Sequence, residues 1–156
     1  MTRLRNYSRY IFLTTVILMA MVYCGNINAN DANPQLALDG YDVVSYFKVH
    51  KPQKGKPSFE KVHNGQTYRF ISKEHLDLFV KHPDQYLPQY DGFCAFGVLN
   101  GTKAKGDPQV WTIEHGKLYF TGDRDGMNKW KKNVEDSIKL SDDQWDAIKD
   151  IPEKDL

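Results

Sequence analysis

The sequence predicts an α+β fold: small antiparallel β-hairpins packed with helices and closed by a C-terminal amphipathic helix. Three observations carry this. Asn64-Gly65 stands between two short alternating segments, a pairing that favours a tight hairpin because both residues tolerate positive φ. A helical period follows Ser72, and a second begins near Met127. The chain has 156 residues, 40% of them hydrophobic and 13% aromatic, which is material for one domain with a real core.

The N-terminal residues are set apart from that fold. Arg3, Arg5 and Arg9 precede an apolar run from Ile11 to Tyr23, and Ile27-Asn28-Ala29 ends in a small residue. This is the build of a secretory signal peptide over 1–29, cleaved near Ala29, and it predicts a periplasmic or secreted protein. The run is shorter than the roughly 20 apolar residues of a membrane span. Cys24 invites a lipoprotein reading, but Tyr23 is bulky where such processing wants a small residue. The leader holds three arginines and no acid, so its removal turns the net charge from +1 to −2. That balance offers nothing to nucleic acid or, once the leader is gone, to a membrane.

The remaining elements are expected in order. Residues 30–35 form a flexible lead-in, 36–150 the domain and 151–156 a tail. After the turn signal Asp39-Gly40, a short helical turn places Tyr41, Val44, Ser45 and Phe47 on one side. A loop rich in lysine and proline leads to the strands Phe59 to His63 and Thr67 to Ile71. Ser72 caps a helix to about Lys81, stopped by Pro83, with His75, Leu76 and Phe79 on its inner face. Phe93 to Val98 is an apolar run of strand length. A second hairpin joins Val110 to Ile113 with Lys117 to Thr121. Met127, Trp130, Val134 and Ile138 define one amphipathic helix, and Ser141 with Gln144 makes a capping-box start for a last short one. Lys129, Lys131 and Lys132 read as a solvated helix face, and His115 as a turn residue. No internal repeat is evident.

The chemistry centres on Cys94 in DGFCAFGV, the one cysteine of the chain after the leader. An exported thiol without an intramolecular partner is either packed and inert, metal-bound, reactive, or paired with another molecule. His75, on a buried helix face, is either a hydrogen-bonded core residue or a ligand. Nucleophile motifs, phosphate loops and paired carboxylates are absent from the sequence, which argues against an enzyme of those classes.

The segments GYDVVSYF, GQTYRFISKEHLDLFVKHPDQYLPQYDGFCAFGV and DPQVWTIEHGKLYF, followed by the helix with Trp130, resemble the exported YHS-domain proteins over residues 36–148. The resemblance implies a treble-clef-like core of the kind appended to copper-transporting ATPases and some multicomponent oxygenases. Metal-type versions carry a cysteine pair at the positions of Ile71 and His75, so here an imidazole replaces one cysteine and a thiol stands instead at Cys94. Some exported relatives are named selenoproteins, which suits a chalcogen there. Thiolate with imidazole favours copper, with His75 and His63 as the expected partners of Cys94. Tyr41, Asp42, Tyr68, Phe93 and Phe96 are the expected pocket residues. Zinc would want four ligands. The expected function is handling of a soft metal ion, copper first, or binding of a small ligand. The alternatives are a redox-active thiol activated by His75 and a binding or structural module with a packed cysteine. The sequence leaves the oligomeric state open.

Overall fold

A computed structural model describes residues 34–156; the expected signal peptide lies outside the described residues. Strand β1 (Gln35–Leu36) opens the domain and runs parallel to β3 (Gln66–Phe70), which pairs antiparallel with β2 (Lys56–His63). Gln35 of the expected lead-in is therefore already part of a sheet. Strand β2 starts at Lys56, inside the segment expected to be loop, because Lys56 pairs with Phe70 across a bulge. Between β1 and β2 lies helix α1 (Val43–Lys48), with Asp42 as its N-cap. Helix α2 (Lys73–Lys81) has the expected Ser72 cap, and Pro83 stops it and starts the single turn α3 (Pro83–Tyr86).

The segment expected as a strand around Cys94 is instead helix α4 (Ala95–Leu99), with Cys94 as its N-cap. A short apolar run reads the same whether it is a buried strand or a buried helical turn, and only its length and neighbours decide. Here Cys94 Sγ accepts from the N–H of Gly97, which starts the helix. Strands β4 (Trp111–Glu114) and β5 (Lys117–Phe120) make the second hairpin.

The expected single amphipathic helix is two: α5 (Arg124–Lys131) and α6 (Val134–Ile148), broken at Asn133, whose φ is −141°. Ser141 does not start a helix but lies inside α6. Its hydroxyl accepts from Trp130 Nε1 at 3.2 Å and donates to the Ala95 carbonyl at 3.3 Å, so it no longer competes for its own helix backbone.

The α+β architecture stands, and it contains a repeat that the sequence hides. Leu38, Asp39 and Gly40 have φ of 45°, 52° and 79°; Tyr90, Asp91 and Gly92 have 55°, 52° and 84°. Each left-handed turn leads through an aromatic residue to an N-cap (Asp42, Cys94), then a short helix, a loop, a hairpin, a second N-cap (Ser72, Asp123) and a longer helix. The hairpins keep register: Val62 pairs with Thr67 and Lys61 with Tyr68, as Ile113 does with Leu118 and Thr112 with Tyr119. Each half has its own core, around Phe70, Phe79 and Tyr86 in the first and around Tyr119, Trp130 and Ile148 in the second. Tyr46 of the first half packs with Leu118 and Phe120 of the second and donates its hydroxyl to the Pro108 carbonyl at 3.0 Å.

Candidate functional site

The most enclosed polar cluster of the first half is built on Asp42, which is fully buried. One carboxylate oxygen accepts from the N–H of Val44 at 2.8 Å and of Ser45 at 3.3 Å, capping α1. The other accepts from the N–H of Ile71 at 2.8 Å, where β3 turns into α2, and meets His75 Nδ1 at 2.7 Å. An ionised carboxylate has no proton to give, so Nδ1 carries the hydrogen and donates it. That leaves Nε2 as the ring nitrogen without a partner in the cluster. Nε2 makes no hydrogen bond within the described residues and is not among the fully enclosed atoms. The His75 side chain keeps 9% of its surface exposed. Oriented in this way, the imidazole has one nitrogen for a ligand or a proton.

Cys94 sits elsewhere. Its sulfur accepts from the N–H of Gly97 at 3.3 Å and of Gly122 at 3.2 Å, and its own N–H donates to the Ala104 carbonyl at 2.8 Å. The side chain is free of disulfide and buried. No hydrogen bond joins it to His75, whose partners are Asp42 and Ser72. The thiol and the imidazole that the sequence paired are thus held by different neighbours.

The side chain of His63, at the end of β2, makes no hydrogen bond to His75 or Cys94. Its ring lies edge-on to Phe79 at 5.6 Å and to Tyr68 at 6.5 Å. Tyr68 is core, and burial with the Asp91 charge pushes its phenol up to about 12. Tyr41 carries the Lys54 ammonium 4.1 Å from its ring centre. Phe93 packs on Trp145 with the Lys103 ammonium 5.8 Å from its ring, and Phe96 has Lys129 at 5.9 Å. Of the five expected pocket residues, Asp42 alone hydrogen-bonds to an expected ligand, His75, while Tyr68 meets the ring of His63. Phe93 lines a cleft of about 260 Å³ with Leu38, Asp39, Asp91 and Lys105, but neither His75 nor Cys94 lines it.

Among the described residues, no group of three or more His, Cys, Asp and Glu is arranged to hold a metal ion. Asp42 as the partner of His75 was the feature that sequence reasoning missed. Its signal was an acidic residue immediately before the apolar run Val43-Val44, the mark of an N-cap. No family model, curated protein or solved structure matches the chain.

Proposed function

We propose that the protein is an exported YHS-type module, periplasmic or secreted, that handles a soft or borderline metal ion, copper first, through Nε2 of His75. The 2.7 Å contact between His75 Nδ1 and the buried Asp42 carboxylate carries the reading. Metal-binding histidines commonly donate the other ring N–H to a carboxylate, which fixes the tautomer and strengthens the ligand. One protein imidazole leaves the remaining positions to solvent or to a ligand from a partner. Such an open, low-coordination site suits uptake and handover better than storage, and copper(I) tolerates low coordination. Cys94, saturated with backbone donors, serves the fold in this reading. Titration of the purified protein against a competing copper chelator tests it with wild type, His75→Ala and Cys94→Ser. Binding abolished by His75→Ala and kept by Cys94→Ser is the expected pattern; equal binding by wild type and His75→Ala overturns it.

A second reading, a reactive thiol, is favoured by one observation: two backbone N–H groups point at Cys94 Sγ. Such donors bind a thiolate more strongly than a thiol. Alkylation of the folded protein by iodoacetamide, with sulfur displacing iodide, separates the two. Labelling of the native state faster than of the urea-unfolded chain supports this reading, and a native thiol that stays unlabelled rejects it.

A further inference from the structure

The two halves repeat one another down to individual hydrogen bonds. Asp42 N–H donates to the Gln53 carbonyl and Cys94 N–H to that of Ala104, at 2.9 and 2.8 Å. Tyr41 bridges to Lys54 and Phe93 to Lys105, both antiparallel. The Asp42 carboxylate accepts from Ile71 N–H, where the first hairpin ends; the Cys94 sulfur accepts from Gly122 N–H, where the second ends. Each side chain also accepts from its own helix, and the next caps match as well, Ser72 receiving the N–H of His75 and Asp123 that of Gly126. The correspondence therefore pairs Asp42 with Cys94 and His75 with Gly126.

We infer that the protein is a tandem duplication in which the first copy keeps an imidazole site and the second has lost it, with Cys94, Phe96 and Gly126 as the residues that closed it. The sulfur replaces the carboxylate as the acceptor of two of its three backbone donors, Gly97 and Gly122 standing where Ser45 and Ile71 do. The imidazole is gone with Gly126, and the Phe96 side chain fills its place: a Cβ built at Gly126 would meet Phe96 Cβ and Cδ1 at 3.7 Å, and Asp123 Oδ1 at 3.3 Å. The first copy has the smaller Val44 where the second has Phe96. The protein is consequently a one-site binder on a two-site scaffold. Its stoichiometry rests on the proposed role of His75, whereas the equivalence of the two positions does not.

The triple variant C94D/F96V/G126H restores the first-copy residues to the second copy. Nitrogen-resolved NMR of the imidazoles reads the outcome without any metal. A second ring locked with its proton on Nδ1, alongside that of His75, is expected, and in copper titration two equivalents bound where wild type binds one. A folded variant whose added imidazole exchanges freely between tautomers overturns the inference. A locked second ring with copper bound by neither protein upholds the duplication and rejects the metal reading. Should the triple variant not fold, Cys94→Asp and Cys94→Val decide it. The aspartate, able to accept from Gly97 and Gly122, is expected to keep those amides protected from hydrogen exchange, and the valine to expose them. Equal loss of protection in both overturns the inference.

Discussion

Asp42 is the residue on which the first half depends. Its two oxygens satisfy three backbone N–H groups and one imidazole at a position with no exposed surface. Asp42→Ala would take this acceptor from all four donors, of which Ser45 N–H keeps the backbone carbonyl of residue 42 at 3.1 Å. Leaving a buried donor unsatisfied costs about 1–3 kcal/mol, so a loss of at least that size is expected in urea unfolding, read as a lower midpoint at unchanged slope. Asp42→Asn should recover only part of it, because its NH2 group must face either Ile71 N–H and His75 Nδ1–H together or the N–H groups of Val44 and Ser45, donor against donor. A loss under about 1 kcal/mol in Asp42→Ala, the worth of one ordinary hydrogen bond, would show that the cluster is not what joins α1 to α2. The sequence left His75 as either a hydrogen-bonded core residue or a ligand beside Cys94, and it did not single out Asp42 as its partner. The contact spans 33 residues, and no local rule links an N-cap to a histidine in a later helix.

At the scale of elements, the two hairpin turns are alike enough to be tested against each other. Gly65 and Gly116 both have φ of 74°, and a Cβ at either meets nothing within 4 Å. Substitution to Ala is then purely a matter of backbone conformation, since there is space for the methyl. The left-handed region costs an L-residue about 1–2 kcal/mol, so Gly65→Ala and Gly116→Ala should each destabilise by about that much, and equally. Unequal losses in urea unfolding would mean that the turns are not equivalent. His115, at φ 50°, holds the place of Asn64, at φ 48°. His115→Asn should be neutral or slightly stabilising, since asparagine tolerates this region and the exposed His115–Glu135 pair contributes little. These hairpins were legible because a turn dipeptide sits between alternating strands, a signal contained in a few consecutive residues. The repeat was not, although Asp39-Gly40 and Asp91-Gly92, Pro57 and Pro108, and Tyr68 and Tyr119 all correspond. The second loop, from Cys94 to Lys105, is one residue shorter than that from Asp42 to Lys54, so no constant period survives. The break at Asn133 and the continuity of α6 through Ser141 were hidden for a related reason. Both depend on where Trp130 and Ala95 lie in space, which no window of sequence contains.

For the whole molecule, the aromatic cores make stability depend on alkaline pH. Tyr46, Tyr68, Tyr90 and Tyr119 are all buried, and burial, which disfavours the phenolate, is the leading cause that raises each of them. Tyr68 and Tyr119 are pushed up to about 12 from the ordinary 10.0; Tyr46 and Tyr90 are higher still, Tyr90 also through its hydrogen bond to Asp142. The folded state holds these protons where the unfolded chain releases them. Stability is therefore fully present below pH 10.0 and falls as the pH rises from there towards about 12, where Tyr68 and Tyr119 ionise in the fold. Phenolate absorbance of these four should accordingly develop together with loss of far-ultraviolet dichroism. Their ionisation near pH 10 with the fold intact would contradict the burial of the cores. Tyr119 refines the test, because its hydroxyl is buried without a hydrogen-bond partner among the described residues while that of Tyr46 donates to Pro108. Removing an unpaired buried hydroxyl relieves a desolvation penalty, whereas removing a paired one forfeits its bond and orphans the acceptor. Tyr119→Phe is thus expected to gain about 1 kcal/mol and Tyr46→Phe to lose about as much. Both variants should lose less stability than wild type between pH 10 and 12, because each lacks one of the phenols whose ionisation drives that loss. Opposite signs at neutral pH with the same trend at alkaline pH would tie the hydrogen-bond inventory of the two cores to their titration, and a destabilised Tyr119→Phe would mean that its hydroxyl has a partner in solution, such as an enclosed water.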